Sequence, residues 1–268
     1  MNGKIILLLF LISVCSVYAV QLIEPVAVEI KGGETINVGT IGPGQTISID
    51  IARRVYVGGK FGTGGDYDLA LATNLPSGWK STESKLYDNP LQVTITAAKD
   101  AAEGKYSATV KVLDEDNKEM LGNISFTVNV NIIHDVMDLQ VNPVNIETGA
   151  GQPAKFQITI TNKGSASDVF ELRSENVKRW IFKKYIYVAG MSSKTIPYEI
   201  AANEEETFNP KIIVESTSSS IISEEKVVTL KVSSNVLNDY EATNHGTLIF
   251  PVIEGPIYAI MGLLSNLW

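Results

Sequence analysis

Cysteine and histidine are nearly absent: Cys15, His134 and His245 are the only residues of either type in the 268. A site built from several Cys and His ligands is therefore excluded, and no cofactor or metal is expected. Basic residues are outnumbered, 22 Lys and Arg against 30 Asp and Glu, giving a formal net charge of −8 and a pI near 4.9. A phosphate backbone repels such a surface, so nucleic acid is a poor partner. No catalytic signature is present either, and the chain reads as a non-enzyme. Gly and Pro are close to average and 44% of the residues are apolar, which argues against disordered and collagen-like chains. The length suits one large domain or two small ones, each big enough for its own core.

Charge is also missing from the start of the chain. Lys4 is the only charged residue before Glu24, and it precedes the apolar run Ile5 to Leu11. A basic start, a short apolar stretch and a small residue at Ala19 read as a secretory signal peptide over residues 1–19, cleaved after Ala19. The uncharged stretch to Ile23 is also long enough for a retained span, and Cys15 offers a lipoprotein alternative, although Val14 precedes it where a small residue is normal. After cleavage no cysteine remains, so an exported chain of this kind is held by its cores alone. That points to a prokaryotic envelope.

What the chain does have is a period of two. Thr46-Ile47-Ser48-Ile49-Asp50-Ile51, Gln92 to Thr96, Ser107 to Val112, Ser125 to Val130, Lys155 to Ile160 and Thr229 to Val232 all alternate polar and apolar residues. Each such strand puts one face in a core and one in water. Turn signals separate them, among them Gly42-Pro43-Gly44, Leu75-Pro76-Ser77-Gly78, Gly149-Ala150-Gly151 and Asn162-Lys163-Gly164. The pattern predicts an all-β chain of antiparallel sandwiches.

Three landmarks recur in the same order. Gly42 to Ile49 resembles Gly149 to Phe156, Trp79 matches Trp180, and Lys105 to Val112 matches Thr207 to Val214. They divide the chain into two immunoglobulin-like sandwiches, 20–133 and 134–235, followed by a linker and an apolar segment over 236–268. The connector Ile132-Ile133-His134-Asp135-Val136 has no Gly/Ser tract, which predicts two units end to end with limited play.

The run GAGQPAKFQITITNKGSASDVFELRSENVKRW resembles the immunoglobulin-like modules of the CARDB/NEW3 type from bacterial and archaeal surface proteins. In these, a Gly-rich turn leads through a strand to a T-N-x-G turn and then to a polar strand carrying Asp and Phe. LPSGWKSTES followed by ITAAKDAAEGKYSATVKV resembles the later half of the same pattern. The resemblance covers about residues 24–234 and implies noncatalytic spacers, adhesion units or sugar-binding appendages. The first repeat departs from it at Asp50-Ile51-Ala52-Arg53-Arg54, where the second has Thr161-Asn162-Lys163-Gly164.

Several polar clusters need a reading. Asp114 to Glu119 offers oxygens for Ca²⁺ but lacks the glycine and distant glutamate of an EF-hand loop, so a solvated hairpin turn is expected. Gly62-Thr63-Gly64-Gly65 before Asp66-Tyr67-Asp68 lacks the Lys-Ser or Lys-Thr of a phosphate cradle and reads as a flexible loop. Glu204-Glu205-Glu206 are adjacent on a loop and do not face each other across a cleft as a glycosidase pair must. Between Arg173 and Tyr187, basic residues interleave with Trp180, Phe182, Tyr185 and Tyr187. Arg173, Lys183, Tyr185 and Tyr187 are a candidate ligand patch for anionic sugars or lipid headgroups. The structural reading, with Trp180 as a core residue, is preferred. Alternation puts Ile186 and Val188 inside and Tyr185 and Tyr187 outside. Asn123-Ile124-Ser125 is a possible glycosylation sequon.

The end of the chain lacks charge again. No Lys or Arg follows Lys231, and from Leu248 to Trp268 only Glu254 is charged. Pro256 suits the first turn of a helix, whose stripe would carry Ile257, Ile260, Met261, Leu264 and Trp268, with Tyr258 and Phe250 nearby. Twelve residues from Ile257 to Trp268 span about 18 Å, too short for a hydrocarbon core of about 30 Å. Three readings remain: docking on a membrane-associated protein or another subunit, lying in the bilayer interface, or folding back on the second sandwich. The sequence as a whole predicts a noncatalytic extracytoplasmic scaffold or spacer in the cell envelope, tethered through this segment to a membrane-associated or homo-oligomeric partner. A surface carbohydrate-binding adhesion module and an accessory subunit of an envelope enzyme or secretion complex are the alternatives.

Overall fold

The computed structural model describes residues 19–177 and 182–233. Residues 1–18, 178–181 and 234–268 lie outside this range. With them fall the signal peptide, Trp180 and the expected C-terminal helix with Phe250, Ile257, Tyr258, Ile260, Met261, Leu264 and Trp268. The described residues contain strands and no helix. The chain divides between Ile132 and Ile133 into two compact units, one residue before the boundary expected from sequence.

The first unit contains β1 (Ala19–Glu24), β2 (Val28–Lys31), β3 (Thr35–Ile41), β4 (Thr46–Ile51), β5 (Arg54–Val55), β6 (Gly65–Asp66), β7 (Leu69–Thr73), β8 (Lys80–Thr82), β9 (Leu91–Thr96), β10 (Gly104–Leu113) and β11 (Ile124–Ile132). One sheet runs β2-β1-β4-β9-β8 and the other β3-β11-β10-β7. Only β3 with β11 is a parallel pair in these two sheets; the rest are antiparallel. This is the immunoglobulin arrangement, with the A, B, E and D strands in one sheet and C, F and G in the other. Ile47, Ile49 and Ile51 of β4 in one sheet and Val110, Phe126 and Val128 of β10 and β11 in the other are all buried. The alternation in the sequence thus becomes the inner faces of two sheets.

The second unit contains β12 (Met137–Asn142), β13 (Asn145–Thr148), β14 (Pro153–Asn162), β15 (Asp168–Glu175), β16 (Lys184–Val188), β17 (Ser192–Ala201), β18 (Thr207–Phe208), β19 (Lys211–Ser216), β20 (Ser223–Val227) and β21 (Thr229–Val232). One sheet is β12-β14-β17, and the opposite strands are ordered β16-β15-β19-β20 and β13-β21-β18. β18 and β19 form one strand interrupted at Pro210, which has no N–H to give the ladder. The register passes through the gap, with Phe208 opposite Leu230 and Lys211 opposite Val227. Val228 N–H donates to the Pro210 carbonyl at 2.9 Å and closes the gap. Phe156, Phe170, Tyr198, Ile158, Ile212 and Leu230 lie in this unit's core.

Two of the repeated landmarks have the same structure in both units. In Gly42-Pro43-Gly44-Gln45 the Gln45 N–H donates to the Gly42 carbonyl (3.2 Å), and Gln152 repeats this with Gly149 (3.1 Å). Gly44 and Gly151 have φ of 69° and 74°, the left-handed position that a type II turn reserves for glycine, and Pro43 suits the position before it. Gln45 is fully buried, and its Oε1 accepts the Gly42 N–H at 2.8 Å. The third landmark is the F strand, β10 in one unit and β18 with β19 in the other. The T-N-x-G turn also has a physical basis. Buried Asn162 donates from Nδ2 to the Ala166 carbonyl (2.8 Å), while its Oδ1 accepts the Gly164 N–H (3.0 Å).

The repeat breaks after the C strand, β7 in the first unit and β15 in the second. In the first unit β8 pairs with β9, whereas in the second β16 pairs with β15 on the opposite sheet. The edge of β7 is already occupied in the first unit. Ser84 N–H donates to the Ala70 carbonyl and its Oγ accepts the Ala70 N–H, both at 2.9 Å.

Candidate functional site

β16 reads Lys184-Tyr185-Ile186-Tyr187-Val188, and the pleat sends Ile186 and Val188 into the core. Tyr185 and Tyr187 stand on the outward face, 65% and 56% exposed. Opposite them on β15 are Glu171 and Val169 respectively. The Tyr185 hydroxyl donates to Glu171 Oε2 at 2.9 Å, and the Tyr187 hydroxyl to Ser167 Oγ at 3.0 Å.

Arg173 and Lys183 belong to the same face, and their charges are already engaged. Lys183 Nζ lies 2.8 Å from Glu171 Oε1, and Arg173 Nη1 lies 3.3 Å from the same oxygen and 3.0 Å from Glu215 Oε2. Arg173 Nε also reaches Glu175 at 3.5 Å. Lys211 next to them pairs with Glu225 at 3.1 Å. Two cations therefore meet three carboxylates at the centre of the patch. The hydrogen bonds from Lys183 and Tyr185 hold the Glu171 carboxyl below the usual carboxylate range. The same bonds push Lys183 and Tyr185 above their ordinary values. Burial works against the Arg173 charge, but the bonds to Glu215 and Glu175 and the Glu171 charge outweigh it, so its pKa is raised. The cationic patch expected from the one-dimensional spacing is thus neutralised, because strand pairing brings in Glu171 and Glu215. An anionic ligand would have to displace these partners.

Lys184 points the other way. Its Nζ donates to the Pro197 carbonyl at 2.9 Å and lies 5.9 Å from the centroid of the Phe182 ring. With Phe182, Pro197 and Glu199 it borders a cavity of about 380 Å³.

The two acidic loops of the first unit meet. Glu115 N–H donates to Asp68 Oδ2 (3.2 Å), Leu121 N–H to Asp114 Oδ2 (3.1 Å) and Lys60 N–H to the Glu119 carbonyl (2.7 Å). Asp68 and Asp114 are 7% and 4% exposed, so the turn expected to be solvated has a buried carboxylate that ties down its return. The glycine segment expected to be a flexible loop is bonded too, with Gly64 N–H on the Gly58 carbonyl at 2.9 Å. Gly64 has φ of +83°, and a Cβ there would sit 1.9 Å from the Val55 carbonyl oxygen, so only glycine fits. Among the described residues, no group of three or more His, Cys, Asp and Glu is placed to hold a metal ion.

This loop end also carries side chains that the sequence reading passed over. Tyr56 and Phe61 are each 80% exposed, and Leu86, Tyr87 and Met120 are exposed on the adjoining loops. Arg53 ties two of these loops together, donating to the Tyr67 and Tyr87 carbonyls. Two aromatics within a glycine-rich stretch of thirteen residues, Arg53 to Gly65, were the available signal. Trp79, by contrast, is buried, 5.2 Å from the Tyr106 ring. Asn123 is exposed at the start of β11, His134 is exposed at the boundary between the units, and Glu204, Glu205 and Glu206 are exposed before β18.

No family model matches the sequence, and no curated protein is similar to it. Similar solved structures include the fibronectin(III)-like modules of Clostridium thermocellum CbhA, at 15% identity over 80% of this chain and 94% of that one, with a TM-score of 0.28. A chimeric titin Z1Z2 is 10% identical over 82% of this chain and 99% of that one, with a TM-score of 0.35. At such scores these likenesses carry no functional argument. The sheet order of the molecule itself defines its class, a protein of two immunoglobulin-like β-sandwiches in tandem.

Proposed function

We propose that the chain is a noncatalytic, extracytoplasmic scaffold of the cell envelope. Two sandwiches act as a spacer, and the segment Leu248 to Trp268 tethers them to a membrane-associated protein or to a second copy. In this reading the modules are kin to the CARDB/NEW3 surface type, and residues 1–19 direct export. The observation that carries the proposal is how the buried carboxylates are used. Asp68 and Asp114 hold loop N–H groups, and Asp168 holds Ser216, Ser218 and the Val169 N–H. Acids spent on holding loops serve a load-carrying framework rather than proton transfer.

The test compares the exported chain with and without Leu248 to Trp268, expressed in a prokaryotic host, by membrane fractionation and size-exclusion light scattering. The proposal expects truncation to release a folded, soluble monomer whose mass places its first residue at Val20. It is overturned if the truncated chain stays in the same fraction and assembly state, or if the second sandwich unfolds.

A further inference from the structure

We propose that the outward face of β15 and β16 binds a neutral saccharide, with Tyr185 and Tyr187 as its stacking platform. The proposal goes beyond the scaffold reading and does not depend on the tether. Two residues apart on one strand, the Cα atoms of Tyr185 and Tyr187 lie about 6.5 Å from each other, so both rings are within reach of neighbouring units of one extended sugar chain. Their hydroxyls reach sideways to Glu171 on β15 and to Ser167 just before it. The rings therefore lean across the sheet toward β15 while remaining 65% and 56% exposed.

That posture suits the C–H face of a pyranose, whose weakly positive hydrogens meet the negative face of an aromatic ring. Tyrosine loses little conformational entropy on binding, and here the hydroxyl bonds have already fixed the rings. Beside them, half-buried Glu171, Arg173 and Glu215 supply acceptors and donors for sugar hydroxyls. The charge balance selects the ligand class. Arg173 and Lys183 are engaged by Glu171, Glu175 and Glu215, and Lys211 by Glu225, so a carboxylated or sulfated sugar must displace a carboxylate from its cation, while an uncharged one needs only hydrogen-bonding groups.

The experiment titrates the full chain with cellohexaose, mannohexaose and N-acetylchitohexaose, and with oligogalacturonate as the anionic comparator, by calorimetry and by amide chemical shifts. The expected result is saturable binding of at least one neutral oligosaccharide, with shifts centred on β15 and β16 and weaker binding of oligogalacturonate. Tyr185→Ala with Tyr187→Ala should weaken binding about ten-fold or more while the chain stays folded at the temperature of the titration. Tyr187→Trp, which enlarges the platform and keeps the fold, should tighten it. The proposal is overturned if no neutral oligosaccharide saturates, if oligogalacturonate is preferred, if the double variant binds like the parent, or if Tyr187→Trp abolishes binding.

Discussion

Tyr185 and Glu171 face each other across β16 and β15, and the tyrosine hydroxyl donates to the carboxylate at 2.9 Å. One carboxylate thereby orients an exposed ring and receives Lys183 on its other oxygen at 2.8 Å. Ring posture and charge balance on this face depend on the same side chain.

The ionisation of Glu171 should be visible in stability. Its pKa is lowered in the folded chain by the bonds from Lys183 and Tyr185. The contribution is therefore present above the unfolded carboxylate pKa and is lost as pH falls through the folded one. Melting curves of the parent and Glu171→Gln should differ at neutral pH, and the gap should close in acid. A gap that is constant with pH would contradict the assignment.

Asp168 is 5% exposed and accepts from the Val169 N–H, Ser216 Oγ at 2.6 Å and Ser218 Oγ at 2.9 Å. Asp168→Ala leaves these donors without their acceptor and should cost about 2–4 kcal/mol. Asp168→Asn keeps part of the network and should cost less. Urea denaturation monitored on the second unit reads both.

Gly64→Ala places a methyl against the Val55 carbonyl at a left-handed φ. The expected loss is about 1–3 kcal/mol, local to the loop. Hydrogen exchange at the Lys60 and Gly64 amides, which bond to Glu119 and Gly58, should accelerate while β14 and β17 remain protected.

Trp79 is 8% exposed and packs on Tyr106 at a tilt of 40°. Trp79→Ala should destabilise the first unit by about 3–5 kcal/mol. The loss should appear in thermal unfolding of that unit, with Tyr106→Ala less than additive to it because the two rings share one contact.

The outward placement of Tyr185 and Tyr187 was legible, because alternation alone separates these rings from Ile186 and Val188. Their electrostatic setting was not legible, since Glu215 lies forty-two residues from Arg173 and meets it only through the pairing of β15 with β19. The buried role of Asp114 was hidden for a similar reason. Its partner Leu121 lies across a turn that composition describes as solvated.

By itself the sequence determined the two-sandwich class and its punctuation. Period-two alternation, the Gly-x-Gly-Gln turns and the Thr-Asn-x-Gly turn are local consequences of side-chain direction and allowed φ. Only the tertiary structure decided which sheet each strand joins. The segment after Trp79 pairs with β9, and the one that follows residue 181 pairs with β15. That choice turns on whether the edge of the C strand is free, and in the first unit Ser84 already holds it. A contact between residues distant in sequence leaves no periodic trace, so it emerges only when the strands are paired.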